Sequence, residues 1–404
     1  MKIISLLFST SYAFQGFYGI VGPNIPIPKI NTLYQLFTGH GIIQGVFIEN
    51  NTLTPVQHII QTDKLHYSFP TTSIFKLPFY LLLHFMKLFP NPLGVANTAF
   101  LSIPPNQYIL FERDVPYKIN INMQKKQILT IGRTPIRRVT HLSGHTKLVG
   151  KLVHSLEYSV VKRTVSLLFL TTGFDLMHKT TVKTNYIPLV HDFLIMENST
   201  LFTDSPIYFS VKELVQSKIP ILVNRTAPTF IHVVDRLDKI TYRSNTSFFI
   251  FHYAYGLETD ECIEIYAPVY YNLNFSTIHI HGIYSKLLLN KSTKEITIQS
   301  TLKLEQYNLD FPVKWKEYII LRNIQDCKIN GFIVCKRLDV KCAFSLPYGM
   351  AVCGEPSIAN DTLVCIGYDL MYSSYFMVFD LLNHTFQMYP LGFNATLGFH
   401  SILI

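Results

Sequence analysis

Short segments rich in Ile, Val, Tyr, Phe and Thr recur along almost the whole chain, with turn residues between them. In many of them apolar and polar residues alternate, which is the pattern of half-buried β-strands. Long stretches with the 3.6-residue period of an amphipathic helix are almost absent. The chain is therefore limited to an all-β sandwich, barrel or propeller. The clearest predicted strands are Gln107–Phe111, Glu157–Lys162, Ser166–Leu170, Phe230–Val234, Phe248–His252, Cys262–Tyr271, Thr277–Ile283, Glu295–Leu302, Tyr318–Leu321, Leu363–Tyr368, Tyr375–Phe379 and Thr385–Tyr389.

The chain has 404 residues, and a barrel of this length would be unusually large. A propeller of repeated four-stranded blades accommodates about 400 residues in one domain more naturally. The sequence contains no low-complexity linker and no clear internal repeat, so periodicity alone gives no blade count. We therefore predict a single domain over residues 1–404.

Composition excludes several classes of protein. A chain that is 48% hydrophobic has enough apolar surface to fold, which excludes intrinsic disorder. The net charge of +9 could favour an anionic surface. However, the densest basic runs are only Lys125-Lys126 and Arg137-Arg138, so we expect no nucleic-acid partner. The six cysteines form no C-x-x-C pair, which disfavours zinc ribbons and thioredoxin-like redox motifs.

Two segments bear on localisation. Ser73–Pro90 is apolar but too short and too interrupted to span a bilayer, so it is either a buried core element or an interfacial segment. Met1–Phe14 is either the first strand or a short signal segment, because its apolar stretch is only six residues long. We expect a cytoplasmic protein that is peripherally associated with membranes. A secretory route stays open, since the chain has nine Asn-x-Ser/Thr sites.

Four of the fifteen histidines stand beside turns or strand ends: His145, His191, His252 and His400. They are separated by 46 to 148 residues, which suits ligands from separate blades better than a compact metal-binding loop. A lone His in a β-rich core is more often a structural hydrogen-bonding group, so spacing alone leaves both interpretations open.

A second candidate metal motif is His279-Ile-His281, because alternation would place both imidazoles on one face of a strand, as in cupin-type sites. A cupin site would also need a carboxylate a few residues further on, and the nearest one downstream is the distant Glu295. We therefore interpret the pair as surface or core histidines.

Ten short motifs, in order along the chain, resemble those of the carotenoid cleavage oxygenase family, which includes the retinoid isomerohydrolase of the visual cycle. Each motif is weak alone, and their shared order and spacing carry the resemblance. The matching segments are Gly16–Pro23, Gln35–Ile42, Ala96–Thr98, Leu110–Tyr117, Leu142–Lys147, Leu189–Phe193, Phe251–Glu258, Leu309–Pro312, Gly354–Pro356 and Gly398–His400.

The resemblance implies a seven-bladed β-propeller with a compact cap of loops and short helices over an iron face. It implies one Fe(II) ion bound by four imidazoles, those of His145, His191, His252 and His400. It also implies carboxylates that orient three of these rings: Glu112 for His191, Asp310 for His252 and Glu355 for His400.

The sequence departs from the family pattern at several of these positions. Asp310 replaces a Glu and is one methylene shorter, so we expect it to reach His252 only through water or a shifted backbone. Thr146 replaces the Pro that usually follows the first ligand, which leaves His141 as a rival to His145. Other departures are Ile20 for Arg, His40 for Asp and Tyr255 for Asn.

The activity implied by the resemblance is a non-haem Fe(II)-dependent dioxygenase. It would use O2 to split a C=C bond of a carotenoid or apocarotenoid into two carbonyl products. The alternatives are a degenerate member that binds a pigment or a protein without catalysis, and a retinoid ester isomerohydrolase that uses iron as a Lewis acid. Segment 73–90 falls where family members carry a membrane-docking patch, which favours a membrane surface as a partner.

Overall fold

The computed structural model describes residues 4–5, 15–50, 52–67, 83, 94–210, 221–235 and 238–404. In this part of the chain nearly all regular structure is β-strand, which confirms the predicted all-β class. Strands β1 to β12 are Ile4–Ser5, Gly16–Pro23, Gly41–Glu49, Thr52–Ile59, Ala99–Ile103, Asn106–Leu110, Tyr117–Asn122, Gln127–Arg133, Lys147–Val149, Leu152–Ser159, Thr164–Leu170 and Leu176–Lys183.

The second part of the chain continues in the same way. Strands β13 to β22 are Leu194–Ile195, Thr200–Asp204, Ile207–Phe209, Ile221–Val223, Phe230–Val234, Lys239–Ser244, Tyr255–Glu258, Cys262–Val269, Ile283–Asn290 and Glu295–Gln299. Strands β23 to β32 are Leu309–Trp315, Tyr318–Gln325, Lys328–Lys336, Asp339–Ser345, Ala351–Val352, Ser357–Ala359, Thr362–Tyr368, Ser373–Asp380, Thr385–Asn394 and Ser401–Leu403.

The described residues include three short α-helices, α1 (Leu33–Thr38), α2 (Asp63–Tyr67) and α3 (Leu302–Glu305), and one 3-10 turn, Ile27–Lys29. Helix α1 begins at a capping box. The Thr32 hydroxyl accepts a hydrogen bond from the Gln35 N–H, and the Gln35 side chain accepts one from the Thr32 N–H. No described helix is long and apolar enough to cross a membrane.

Two predicted strands are wrong. Phe248–His252 makes only one isolated bridge, between Phe249 and Tyr270. The Phe248 carbonyl accepts hydrogen bonds from the side chains of Ser205 and Thr229 instead of joining a ladder.

The second error is Thr277–Ile283, in which only Ile283 is part of a strand. Here the Asn308 side chain donates to the Ile280 carbonyl and accepts from the Gly282 N–H, so it satisfies backbone groups that a neighbouring strand would otherwise satisfy. In both segments side-chain hydrogen bonds override the intrinsic strand preference of the residues.

The chain divides into two compact units, which are described separately. Unit 1 comprises residues 1–157, 168–178 and 352–404. It contains a five-stranded sheet in the order β1-β4-β3-β2-β32 and a four-stranded sheet in the order β5-β6-β7-β8. It also contains strands β28 to β31, each paired antiparallel with the next. The last strand, β32, pairs with β2, which brings the end of the chain beside its beginning.

Unit 2 comprises residues 158–167 and 179–351. Its largest sheet has eight strands in the order β13-β14-β17-β18-β22-β21-β20-β19. Strands β23 to β26 form a second antiparallel set, in which β23 pairs with β24, β24 with β25 and β25 with β26. The prediction of one domain over residues 1–404 stays a prediction.

Each unit has its own apolar core, built from the inward-facing residues of its strands. In unit 1 Phe17, Phe47 and Ile109 are essentially inaccessible to solvent and pack in one cluster. In unit 2 Ile265 and Leu287 lie at the centre of the cluster under the eight-stranded sheet. Such burial contributes roughly 25 cal/mol per Å² of apolar surface, which makes it the main stabilising term for both units.

Two predicted segments lie mostly outside the described residues. One is the apolar segment 73–90, of which only Leu83 is described. The other is residues 1–14, of which Ile4–Ser5 is described as a short strand that pairs antiparallel with β4.

Candidate metal centre

His400 is positioned in unit 1 by a close approach of two chain segments. The Gly398 N–H donates to the Cys353 carbonyl at 2.8 Å, and the Glu355 N–H donates to the Phe399 carbonyl at 2.9 Å. A Cβ atom on Gly354 would lie 2.9 Å from the Gly398 carbonyl, so this approach requires glycine. The two segments therefore hold Glu355 beside His400.

The Glu355 carboxylate is hydrogen-bonded as well as close to the ring. Its Oε2 atom accepts the Ser401 N–H at 2.9 Å and lies 3.3 Å from Nδ1 of His400. The Tyr18 hydroxyl donates to the Glu355 carbonyl at 2.9 Å. A carboxylate on Nδ1 orients the imidazole and makes Nε2 the nitrogen that would bind a metal. The predicted pair Glu355–His400 is therefore in contact.

His145 lies in a tight turn of the same unit, just before β9. Its N–H donates to the Ser143 hydroxyl at 3.0 Å, and the Thr146 hydroxyl donates to the Ser143 carbonyl at 2.9 Å. Thr146, which replaces a Pro of the family pattern, thus stabilises the turn by hydrogen bonds. The rings of His145 and His400 lie 4.6 Å apart at an interplanar angle of 88°, and their potential ligand atoms are within 4.8 Å of one another.

The rival first ligand, His141, lies in a different environment. Its Nδ1 atom lies 2.9 Å from the Thr140 hydroxyl, which also contacts Glu157. Among the described residues of unit 1, it is His145 that forms a candidate metal-binding pair with His400. The geometry therefore favours His145 over His141.

Glu112 lies beside this turn. A Cβ atom on Gly144 would be 2.9 Å from Oε1 of Glu112, so the glycine leaves room for the carboxylate next to His145. The role predicted for Glu112, as the hydrogen-bond acceptor for His191, stays a prediction.

Unit 2 contains the other two predicted ligands. The rings of His191 and His252 lie 5.3 Å apart at an interplanar angle of 76°. Asp192, which is buried, links the segment that carries His191 to the segment that carries His252. Its Oδ1 accepts the Phe193 N–H at 2.7 Å, and its Oδ2 accepts the Tyr253 N–H at 3.2 Å. Sequence reasoning missed Asp192 as a positioning residue, although it stands next to His191 in the motif that carries the resemblance.

Asp310 contacts His252 directly. Its Oδ1 atom lies 2.8 Å from Nδ1 of the imidazole, and both side chains are only 7% exposed. Strand β23 has a register shift between Asp310 and Val313, and Phe311 has a φ angle of 53°. The bulge brings the shorter side chain within reach. The contact is therefore direct, and it is made at a register shift of the strand.

The ionisation of Asp310 follows from its surroundings. Burial alone would raise the pKa of this carboxyl, but the charge and hydrogen bond of His252 and the charge of Arg322 outweigh it and lower the pKa to about 2. The carboxylate is therefore ionised at neutral pH and can accept an imidazole N–H.

The other departures from the family pattern, at Ile20, Tyr255 and His40, each fit their local surroundings. Ile20 is fully buried, and a Cβ atom on Gly398 would lie 2.7 Å from its Cδ1 atom. Tyr255 stacks on Tyr266 with ring centroids 4.5 Å apart. Burial and the nearby charge of Lys64 lower the pKa of His40, which favours the neutral imidazole.

The pair His279 and His281 is exposed and lies outside any strand, so the alternation that a cupin-type site requires is absent at these two residues. Nδ1 of His279 lies 2.9 Å from the Cys327 thiol. The interpretation of the pair as non-ligand histidines is consistent with this placement.

Solved structures of carotenoid and stilbene oxygenases resemble the whole chain. A variant of Synechocystis apocarotenoid oxygenase matches with a TM-score of 0.78 and 14% identity, covering 100% of this chain and 94% of that one. Lignostilbene dioxygenase of Pseudomonas brassicacearum matches with a TM-score of 0.76 and 15% identity, covering 99% and 93%. This likeness confirms the predicted fold class, while the number of seven blades stays a prediction.

The sequence comparisons identify the family. The model of the RPE65 family, described as retinal pigment epithelial membrane protein, matches residues 12–373, and the chain belongs to this family. The chain is 25% identical over 328 residues to carotenoid 9,10(9',10')-cleavage dioxygenase 1 of Pisum sativum. The aligned region covers 72% of this chain and 59% of the pea protein. The chain spans 40% to 59% of the length of the curated relatives it matches.

Proposed function

We propose that this chain is an Fe(II)-dependent dioxygenase that cleaves a C=C bond of a carotenoid or apocarotenoid, with His145, His191, His252 and His400 as the ligands of one iron. The observation that carries the proposal is the presence of an imidazole pair in each unit, with a carboxylate on Nδ1 of one ring in each pair. The curated relatives named as carotenoid 9,10-cleavage dioxygenases support the substrate class.

The donor set fits the proposed metal. Four neutral imidazoles would leave the full charge of a ferrous ion uncompensated and leave coordination positions open. When bound, the iron would supply the redox chemistry that lets O2 react with an alkene. The protein side chains would bind and orient this group. Glu355 and Asp310 would hold His400 and His252 with Nε2 directed to the metal, and Glu112 is proposed to do the same for His191.

The neighbours of the unit 2 imidazoles suit a water-poor site for an apolar substrate. The Phe251 ring lies 5.3 Å from the ring of His191 and 5.1 Å from that of Tyr270. The Phe249 ring lies 4.7 Å from that of Phe251. Aromatic surfaces of this kind bind a polyene by apolar contact and exclude water from the reacting atoms. Oxidative cleavage of an alkene by O2 gives two carbonyl products and requires no acid or base side chain in this proposal.

The test combines metal content with product analysis. Purified protein reconstituted anaerobically with Fe(II) should contain about one iron per chain, as a single site requires, and convert β-carotene or an apocarotenal into aldehydes. His252→Ala should lose both properties. His279→Ala is the matched control, since it removes an exposed imidazole of the same unit and should retain both.

Other outcomes would redirect the assignment. Protein without iron that still binds pigment would contradict the oxygenase and support a binding protein. Conversion of a retinyl ester to a retinol, without cleavage of any carotenoid, would replace the oxygenase by an isomerohydrolase.

We also propose that the protein is cytoplasmic and docks on membranes through segment 73–90. The support is the composition of this segment, which combines several Phe and Leu residues with Lys76 and Lys87. Flotation with liposomes should recover the wild-type chain. A variant with Phe75 and Phe79 changed to Ser should remain in the bottom fraction of the gradient. Equal flotation of the two proteins would contradict the proposal.

A further inference from the structure

Asp310 is a shorter carboxylate than the family pattern has, yet it reaches His252 at 2.8 Å. The backbone that makes this possible is costly, since an aromatic residue in the left-handed region, as Phe311 is, costs on the order of 1–3 kcal/mol. Such a conformation persists only where neighbouring groups hold it. The question is therefore which residue holds the bulge of β23.

Arg322 is the residue placed to do so. It lies directly opposite Asp310 in the register of β23 and β24, and it is only 5% exposed. Its guanidinium carbon lies 3.3 Å from the centroid of the Phe311 ring. A guanidinium buried this deeply requires nearby negative charge or an aromatic face, and Asp310 and Phe311 supply them.

Phe311 also contacts the candidate ligand. Its ring centroid lies 4.2 Å from that of His252, at an interplanar angle of 44°. The ring thus touches the guanidinium of Arg322 and the imidazole of His252, while the preceding residue, Asp310, contacts Nδ1 of the same imidazole. The four side chains form one buried group around the bulge.

We propose that Arg322 is a positioning residue for His252, which it orients through Asp310 and Phe311. This inference rests on the proposed metal site. Arg322 touches neither metal nor substrate in this role. Its planar guanidinium keeps the Phe311 ring in place, and its position opposite Asp310 in the strand register helps to hold the Asp310 carboxylate against Nδ1. The proton of His252 is thereby kept on Nδ1, and Nε2 is presented as a ligand atom.

The first experiment reads the position of that proton in metal-free protein. Protein with ¹⁵N-labelled histidine is examined by long-range ¹H–¹⁵N correlation, with the His252 signals assigned by their loss in His252→Ala. The wild type should show a single tautomer protonated on Nδ1. Arg322→Met should show a mixture of tautomers, whereas Arg243→Met, which removes an exposed arginine of the same unit, should match the wild type.

The second experiment measures cobalt(II) affinity by chelator competition. Cobalt is a suitable probe because a Synechocystis relative of similar fold has been crystallised in a cobalt-substituted form. Loss of support for a ligating His typically lowers metal affinity about 10–100-fold, and we expect a loss in this range for Arg322→Met. Arg322→Lys keeps the charge but not the planar contact, so its loss should be several-fold.

The proposal is overturned if Arg322→Met keeps a single His252 tautomer and binds cobalt within about threefold of the wild type. If Arg322→Met does not fold, Arg322→Lys decides, and an unchanged tautomer and affinity in that variant overturn the proposal. The tautomer is read without metal or substrate. A wild type that cleaves no carotenoid would therefore refute the proposed function separately from the role of Arg322.

Discussion

Asp310→Glu is the substitution that most directly tests how the backbone and the carboxylate fit each other. The change restores the longer side chain of the family pattern, and it would preserve or improve the site if the shorter carboxylate were a defect. The structure indicates that it is not a defect, so we expect a loss instead. Asp310 is only 5% exposed and already contacts His252, so the added methylene has no space and no gap to close.

The expected magnitude has two parts. Adding a methylene group to a packed interior typically costs about 1–3 kcal/mol in the free energy of unfolding. Displacing the carboxylate from Nδ1 should lower metal affinity about 10–100-fold, which corresponds to about 1.4–2.8 kcal/mol. Asp310→Asn distinguishes the effect of side-chain volume from that of charge. It keeps the size of the side chain but removes the negative charge that faces the buried Arg322.

The assay is chelator competition with cobalt(II), together with thermal unfolding of the metal-free protein. Asp339→Glu is the matched control because it makes the same substitution in the same unit at a side chain that is 66% exposed. It should leave both readouts unchanged. If Asp310→Glu binds cobalt as tightly as the wild type and has the same Tm, the reasoning that β23 has adapted to Asp is refuted.

Three further predictions concern unit 1. His145→Ala should abolish metal binding, whereas His141→Ala should retain most of it; metal loss confined to the second variant would make His141 the ligand. Glu355→Gln should lower cobalt affinity about 10–100-fold through loss of the carboxylate beside His400, and an unchanged affinity would exclude that support. Burial lowers the pKa of Lys64 from 10.5 to about 8. The unfolded state therefore binds more protons between these values, and the free energy of unfolding should rise with pH there by up to about 3 kcal/mol. Lys64→Met should flatten this rise in urea titrations, and an identical slope in both proteins would contradict the lowered pKa.

Much of the candidate centre could be predicted from the sequence because its parts are local. Short motifs surround His145, His191, His252 and His400, and it is the order of ten such motifs along the chain that predicts these four as ligands. The contact of Glu355 with His400 follows from two short motifs that glycines allow to approach closely. A motif indicates which side chain is present, but its distance from another motif depends on the whole chain between them.

The errors have a common origin. Phe248–His252 has the composition of a strand but is bound by the hydroxyls of Ser205 and Thr229, which are distant in sequence. The role of Asp192 also depends on a distant partner, the backbone N–H of Tyr253. Hydrogen bonds between distant residues produce no periodic pattern in the sequence, and strand prediction relies on such patterns.

The sequence by itself determined the all-β class, and the resemblance of its motifs predicted the candidate ligands and their carboxylates. Alternation and short motifs are properties of residues that are close together in the chain, so they can be recognised in the sequence. Only the tertiary structure decided that Asp310 reaches His252, which it does at 2.8 Å from a strand with a register shift. That shift depends on a left-handed Phe311 and on Arg322 from the next strand. Packing between strands brings these residues together, and no spacing along the chain encodes it.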